Sequence, residues 1–117
     1  LVTMSWRSLA DAVLAALPDG NFDVVVTGDE VSHGKPHPEP YRAAARLLGV
    51  SPEDCVAIED SPTGVRSAVA AGVPTLAVPH VVTVPEMPGA VHLGSLAGLT
   101  PSLLAALGRQ ARATANL

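Results

Sequence analysis

Four short apolar runs along the chain have the pattern of buried β-strands. They are Leu1–Thr3, Asp23–Thr27, Cys55–Ile58 and Thr75–Val78. Their apolar residues stand mostly at consecutive rather than alternating positions, which is typical of strands that are covered on both faces. A further stretch, Ala90–Leu96, is short and predicts an additional strand at the edge of the sheet.

Segments with helical spacing lie between and after these runs. They cover residues 5–20, 37–50, 61–74 and about 100–107. Pro18 stops the first pattern, whereas Ser61 and Pro62 provide an N-cap and a first helical residue for the third. Residues 109–117 are expected to form a frayed tail, because terminal residues are poorly ordered unless packing holds them.

The alternation of strands and helices predicts an α/β fold, in which a Rossmann-like parallel sheet lies between two layers of helices. The proline-rich segment 79–88 is expected to be a loop between two of these elements. In folds of this class ligands bind at the carboxyl ends of the strands. The residues that follow each strand are therefore the candidate functional residues.

Composition narrows the functional classes. The 117 residues are 48% hydrophobic but only 3% aromatic, so Val, Leu and Ala must form the core. A net charge of -4 argues against a nucleic-acid partner, which would require a basic face. No apolar run is long enough to cross a membrane and no signal peptide is visible, so a cytoplasmic location without a membrane partner is expected. The single Cys55 excludes a disulfide framework.

Groups that bind phosphate or a metal ion follow three of the predicted strands. They are Thr3, Met4 and Ser5 after the first, Lys35 after the second, and Glu59 and Asp60 after the third. A hydroxyl, an ammonium and two carboxylates would thus meet at one edge of the sheet, a set that suits a phosphate bound with Mg²⁺. A divalent cation would also explain why two acidic residues stand side by side.

Each of these residues also has an ordinary structural explanation. Acidic residues are favourable at helix starts, which Glu59 and Asp60 precede. Ser5 could be the N-cap of the next helix, and a loop lysine such as Lys35 is often only solvated. His33 and His37 flank Lys35 four residues apart, a spacing that suggests a metal. A loop gives that spacing no helical face, so solvated histidines are favoured.

Three quoted segments resemble the motifs of a known family. "LVTMS", "SHGKPHPEPY" and "CVAIEDSPTGVRSAVAAGVPTLAV" resemble the second, third and fourth motifs of the haloacid-dehalogenase-like (HAD) phosphohydrolases, over roughly residues 1–79. The match is closest to the group with β-phosphoglucomutase and phosphoglycolate-type phosphatases. The resemblance implies that Thr3 and Met4 bind the transferred phosphoryl group. It also implies that Lys35 stabilises its charge, and that Glu59 and Asp60 hold Mg²⁺.

The nucleophile of that family is absent from the quoted segments. It is an aspartate in an Asp-x-Asp motif at the end of a first strand, and "PDGNFD" follows a helix without such a strand. Residues 1–108 are therefore expected to be the carboxyl-terminal part of a HAD core that lacks its central first strand and its cap domain. An open slot between Thr3 and Glu59 is expected, to be filled by the missing amino-terminal part or by another chain.

The resemblance implies a Mg²⁺-dependent phosphoester hydrolase or phosphomutase that acts through an aspartyl-phosphate on a small phosphorylated metabolite. Residues 1–117 alone are expected to be inactive. A haloacid dehalogenase is a weaker alternative, because that chemistry needs no metal and the pair Glu59–Asp60 counts against it. A non-catalytic remnant or interaction module is the third possibility. Lys35 is expected to be an exposed loop residue that contributes little to folding.

Overall fold

The computed structural model describes residues 1–116 and contains four α-helices and three strands in that part of the chain. The helices are α1 (Arg7–Ala15), α2 (Glu39–Leu48), α3 (Pro62–Ala70) and α4 (Pro101–Ala115), and the strands are β1 (Ala57–Glu59), β2 (Thr75–Ala77) and β3 (Ala90–His92). The three strands form one parallel sheet in the order β1-β2-β3. The predicted α/β class with a parallel sheet is confirmed, and so is the additional strand in the segment 90–96.

Helices cover both faces of this sheet. Ala57 of β1 packs with Ala68 and Ala71 of α3 in one cluster of buried residues. Side chains alternate between the two faces of a strand, so Val56 points the other way. There it lies against Gly108 of α4, so closely that a Cβ on Gly108 would collide with it. The order of layers is therefore helix, sheet, helix.

The helix α3 begins where the sequence predicts it. Ser61 is its N-cap, and the Ser61 hydroxyl accepts a hydrogen bond of 3.1 Å from the backbone N–H of Gly64. Pro62 occupies the first helical position, where a missing N–H costs nothing. This cap sets the direction in which the chain leaves β1 and enters the helix.

The first two predicted strands are reduced to a single parallel bridge between Val2 and Val26. Two backbone hydrogen bonds make it, from Thr3 N–H to Val26 O (3.0 Å) and from Val26 N–H to Leu1 O (2.9 Å). Among residues 1–116 no backbone hydrogen bond joins Leu1–Thr3 to β1. A further hydrogen bond of 2.9 Å, from the amino-terminal nitrogen of Leu1 to Val24 O, continues the same parallel pairing.

An open slot separates this bridge from β1. A cavity of about 260 Å³ there is lined by Leu1 and Val2 on one side and by Cys55, Val56 and Ala57 on the other. The expected slot is therefore confirmed in the described part of the chain.

Backbone groups face the slot from both sides. Leu1 O and Thr3 N bond to Val26, so the N–H and C=O of Val2 point away from that partner, because the peptide planes are trans. The same alternation in β1 turns the N–H and C=O of Ile58 away from β2. The slot thus lies between two sheet edges.

The prediction of a frayed tail from residue 109 is wrong for residues 109–116. The helix α4 continues to Ala115, and its residues Gly108 and Ala111 are buried. The hydroxyl of Thr114 accepts a hydrogen bond of 2.9 Å from the backbone N–H of Gly89, just before β3. Packing against the sheet holds the segment, and Leu117 lies outside the described residues.

None of the helices within residues 1–116 has both the length and the apolar character that crossing a membrane requires.

Candidate active site

A second cavity opens at the carboxyl ends of the strands, directly above the slot. Its volume is about 400 Å³, and its lining includes all the predicted site residues, namely Thr3, Met4, Lys35, Glu59 and Asp60. Ser61 and Thr63 add two hydroxyls to the same wall. The structure therefore brings together residues that come from three separate segments of the chain.

Lys35 joins the two sides of the slot. Its ammonium donates hydrogen bonds to Glu59 Oε1 (2.5 Å) and to the backbone carbonyl of Val2 (3.0 Å). The side chains of Lys35 and Glu59 are only 11% and 6% exposed. The expectation of an exposed loop lysine is therefore wrong. The loop folds inward because Met4 holds it, accepting a hydrogen bond from the Lys35 N–H at its sulfur (3.3 Å).

Tyr41 is a further member of the site that sequence reasoning missed. Its hydroxyl donates a hydrogen bond to Glu59 Oε1, the oxygen that also accepts from Lys35. Its ring centroid lies 5.4 Å from Lys35 Nζ, within the range of a cation–π interaction. Burial, and then the charge of Glu59, raise the pKa of Tyr41 far above its ordinary value. The only hint in the sequence is that the sole tyrosine follows the lysine loop.

Gly64 was also missed, and it gives the Glu59 carboxylate its space. A Cβ at Gly64 would collide with the Glu59 carboxylate, first of all with Oε2. Gly64 lies in the first turn of α3, where its own N–H is bonded to the Ser61 cap. A side chain at this position is therefore incompatible with the observed carboxylate.

The two adjacent acids are not equivalent. Glu59 is buried and its charge is neutralised by Lys35, whereas Asp60 is exposed beside the cavity. The predicted explanation for their adjacency, a cation between them, is thus unnecessary for Glu59, which already has a cationic partner. Glu59 Oε1 accepts two hydrogen bonds, so Oε2 is the oxygen that remains for another ligand.

The donor set at this edge is compatible with Mg²⁺. Asp60, Glu59, Ser61 and Thr63, which carry carboxylate and hydroxyl oxygens, all line one open cavity. Mg²⁺ prefers oxygen ligands and commonly takes only one or two carboxylates while it keeps several waters. The residues present therefore fit this ion, with Asp60 as the most accessible ligand.

Thr3 and Met4 offer hydrogen-bond donors to an anion in the cavity. Thr3 Oγ1 accepts a bond from the Ser5 N–H (3.2 Å), which leaves its hydroxyl hydrogen for donation. The Met4 N–H has no acceptor within residues 1–116. The Met4 carbonyl packs so closely on Gly28 that a Cβ there would collide with it. Ser5 is not the N-cap of α1, because that position is held by Trp6.

Comparisons with known proteins show what the chain is similar to. The sequence model of the haloacid dehalogenase-like hydrolases matches residues 1–72. Hexitol phosphatase A of Escherichia coli is 43% identical over 65 residues, which cover 56% of this chain and 30% of that protein. The crystal structure of CbbY from Rhodobacter sphaeroides in complex with phosphate superposes with a TM-score of 0.78 at 35% identity, over 89% of this chain and 49% of that one.

A third neighbour shows the fold alone. The β-phosphoglucomutase of Clostridium difficile superposes with a TM-score of 0.73 at 20% identity, over 90% of this chain and 46% of that one. The chain thus spans about half the length of these solved structures and under a third of the hexitol phosphatase.

Proposed function

The chain belongs to the haloacid dehalogenase-like hydrolases, and from this premise we propose that it carries part of the active site of a Mg²⁺-dependent phosphoester hydrolase or phosphomutase. Its substrate would be a small phosphorylated metabolite, and its location the cytoplasm. The observation that carries the proposal is the nearly buried ammonium of Lys35 at the rim of a cavity that Thr3, Met4 and Asp60 also line.

Lys35 supplies positive charge where a phosphoryl group would lie. An ammonium has three N–H donors, and two of them are used by Glu59 Oε1 and Val2 O. The third is free for a phosphoryl oxygen. Because Glu59 and Tyr41 hold the side chain in place, no reorganisation is needed when negative charge develops during transfer.

Thr3 and Met4 complete the cradle from the opposite side of the slot. The hydroxyl hydrogen of Thr3 and the backbone N–H of Met4 are donors that no described residue occupies. Together with Lys35 they offer three donors from two directions to the oxygens of one phosphoryl group. This number suits a group that presents three oxygens outside the bond being broken.

Asp60, with Glu59 Oε2 as a second oxygen, is the proposed ligand set for Mg²⁺. When bound, this ion would offset phosphoryl charge and polarise a phosphoryl oxygen. Asp60 keeps its carboxylate exposed to the cavity, so it is available without breaking the Lys35–Glu59 pair.

The attacking carboxylate is proposed to come from outside residues 1–117. Glu59 and Asp60 are the only carboxylates among the described residues that line the cavity, and both have other roles. The family resemblance implies an aspartate at the end of a strand. The slot between Val2 and Ile58 leads to the floor of the cavity, so a strand there would deliver its last residues beside Lys35. Residues 1–117 alone would then be inactive.

The test is a panel of phosphorylated metabolites assayed on the complete protein that supplies this strand, with and without Mg²⁺. We expect hydrolysis or phosphoryl migration on some member of the panel, lost without Mg²⁺. Asp60→Asn should lower the rate most strongly at limiting Mg²⁺. Asp54→Asn is the matched control, because Asp54 is exposed and does not line the cavity.

Two results would contradict the proposal. One is full turnover of the Asp60→Asn protein at limiting Mg²⁺. The other is Mg²⁺-dependent turnover by purified residues 1–117, which would place the nucleophile inside this chain. A complete protein that is folded and inactive on every phosphoester would favour the non-catalytic alternative.

A further inference from the structure

Two histidines and a glutamate meet in the loop that precedes α2. Each of His33, His37 and Glu39 offers a donor atom, and these atoms all lie within 4.8 Å of one another. The two imidazole rings are stacked, with their centroids 4.6 Å apart. None of the three residues lines the cavity at the carboxyl ends of the strands. They therefore form a separate cluster of possible metal ligands.

The spacing of two of these donors fits a single metal ion. His33 Nδ1 and Glu39 Oε1 are 3.3 Å apart. Two ligands at about 2.0–2.1 Å from a tetrahedral zinc ion lie about 3.3–3.4 Å from each other. The separation of these two atoms is thus compatible with adjacent ligand positions on one ion, which would replace the hydrogen bond between them.

His37 can complete the set after its ring rotates out of the stack with His33. Its Nδ1 accepts a hydrogen bond of 3.0 Å from the backbone N–H of Glu39, and this bond must be exchanged for the metal. Both histidine side chains are exposed, so packing does not oppose the rotation. The backbone of His37 stays in place, because its carbonyl accepts a hydrogen bond of 2.6 Å from the Ser67 hydroxyl on α3.

The carboxylate of Glu39 is held in position before any ion binds. Its Oε2 accepts a hydrogen bond of 2.6 Å from the backbone N–H of Ser32, which leaves Oε1 facing His33. Both ends of the segment 32–39 are therefore tied together around the candidate ligands.

We propose that His33, His37 and Glu39 bind one divalent transition-metal ion, of which Zn²⁺ is the best fit, with a water completing the coordination. Two imidazoles and one carboxylate suit zinc, nickel or copper rather than magnesium, which prefers oxygen ligands throughout. The site is thus chemically distinct from the proposed Mg²⁺ site. The two histidine ligands flank Lys35 in the sequence. A bound ion would therefore fix the segment that presents this lysine.

The test is a titration of the full chain, residues 1–117, with Zn²⁺ in chelator-treated buffer. The heat of binding is measured by calorimetry. Co²⁺ serves as a spectroscopic probe in a second titration. We expect one ion per chain, no competition from millimolar Mg²⁺, and a raised unfolding midpoint with Zn²⁺. The Co²⁺ complex should show no thiolate charge-transfer band, which separates this site from binding at Cys55.

Variants decide which residues bind the ion. His33→Ala and His37→Ala should each weaken Zn²⁺ binding on the order of tenfold or more, since even loss of a supporting group costs that much at metal sites. His80→Ala is the control, because His80 is an exposed histidine in the loop after β2 and outside the cluster. Circular dichroism establishes whether each variant is folded. If one histidine variant does not fold, the other alone is sufficient for the test.

Three outcomes would overturn the proposal. They are equal affinity of the His33→Ala protein and the wild-type chain, an equal loss in the His80→Ala protein, and the absence of binding below millimolar Zn²⁺. The last would leave the two histidines as solvated loop residues.

Discussion

Replacing Glu59 by glutamine should destabilise the folded chain by about 3–5 kcal/mol, the usual cost of removing one partner of a buried ion pair. Glutamine keeps the volume of Glu59 and can still accept a hydrogen bond from Tyr41. It cannot offset the charge of Lys35, whose side chain is only 11% exposed. The variant therefore tests the charge rather than the packing.

The magnitude follows from the geometry of the pair. Lys35 Nζ and Glu59 Oε1 are 2.5 Å apart, and two unit charges at that distance attract by about 6–7 kcal/mol at an effective dielectric constant near 20. The glutamine carbonyl and the solvent that reaches the cavity restore part of this energy, which places the net loss in the range above. A chain of this length has a total stability of about 6–17 kcal/mol, so the loss is a large share of it.

The assay is urea unfolding of residues 1–117, monitored by far-ultraviolet circular dichroism. With a slope near 2 kcal/mol per molar urea, the midpoint should fall by about 1.5–2.5 M. Asp60→Asn is the matched control, because it changes the same kind of charge one residue away at an exposed position. It should shift the free energy of unfolding by no more than about 0.5 kcal/mol.

A double variant separates the unpaired charge from other effects. Lys35→Met together with Glu59→Gln removes both charges, so it should recover much of the stability that Glu59→Gln loses. The reasoning is refuted if Glu59→Gln costs less than about 1 kcal/mol, or no more than Asp60→Asn. In that case the pair would be solvated rather than buried.

Three further predictions concern other features of the fold. Gly64→Ala should cost about 1–3 kcal/mol in unfolding free energy, because its Cβ collides with the Glu59 carboxylate. Gly94→Ala, where no atom lies within 4 Å, should be nearly neutral, and equal costs would contradict the collision. Tyr41 is the only tyrosine, and its raised pKa means that above about pH 10 the unfolded chain loses this proton while the folded chain keeps it. Stability should therefore fall as the pH rises above 10, and Tyr41 should contribute up to about 1.4 kcal/mol per pH unit to this fall. Tyr41→Phe should remove that contribution and so reduce the slope. Phenolate absorbance from the folded chain at pH 10 would contradict this. Truncation after Gly108 removes the last part of α4, including the buried Ala111, and should lower the thermal midpoint measured by calorimetry. An unchanged midpoint would instead support the expectation that residues 109–117 are frayed.

Local signals in the sequence were sufficient for the part of the fold that is built locally. The Ser61–Pro62 pair marks a helix start by capping chemistry alone, and the structure begins α3 there. The buried runs that became β1 and β2 are apolar at consecutive positions, a pattern that needs no knowledge of their partners. The residues that determine these elements lie within the elements themselves or next to them in sequence.

The environment of Lys35 could not be read from its neighbours in sequence. Its segment is rich in proline and glycine, which predicts a loop correctly but predicts exposure wrongly. The loop is drawn inward by Met4, 31 residues away, and the ammonium is buried by Glu59, 24 residues away. The same limit applies to α4, because its last turns are held by a hydrogen bond between Thr114 and Gly89. These contacts exist only after the segments have been brought together.

The slot changes how the Lys35 contacts should be understood. In the described residues the Lys35 ammonium bonds to Val2 O, a carbonyl that faces the slot because both neighbouring peptide groups bond to Val26. A strand that filled the slot would pair its own N–H with this carbonyl, since parallel neighbours bond at alternate residues. The bond from Lys35 to Glu59 involves a side chain on the other side of the cavity and would be unaffected. Completing the sheet would therefore free a second N–H of Lys35 for the phosphoryl group while the ion pair with Glu59 continued to hold the lysine in place.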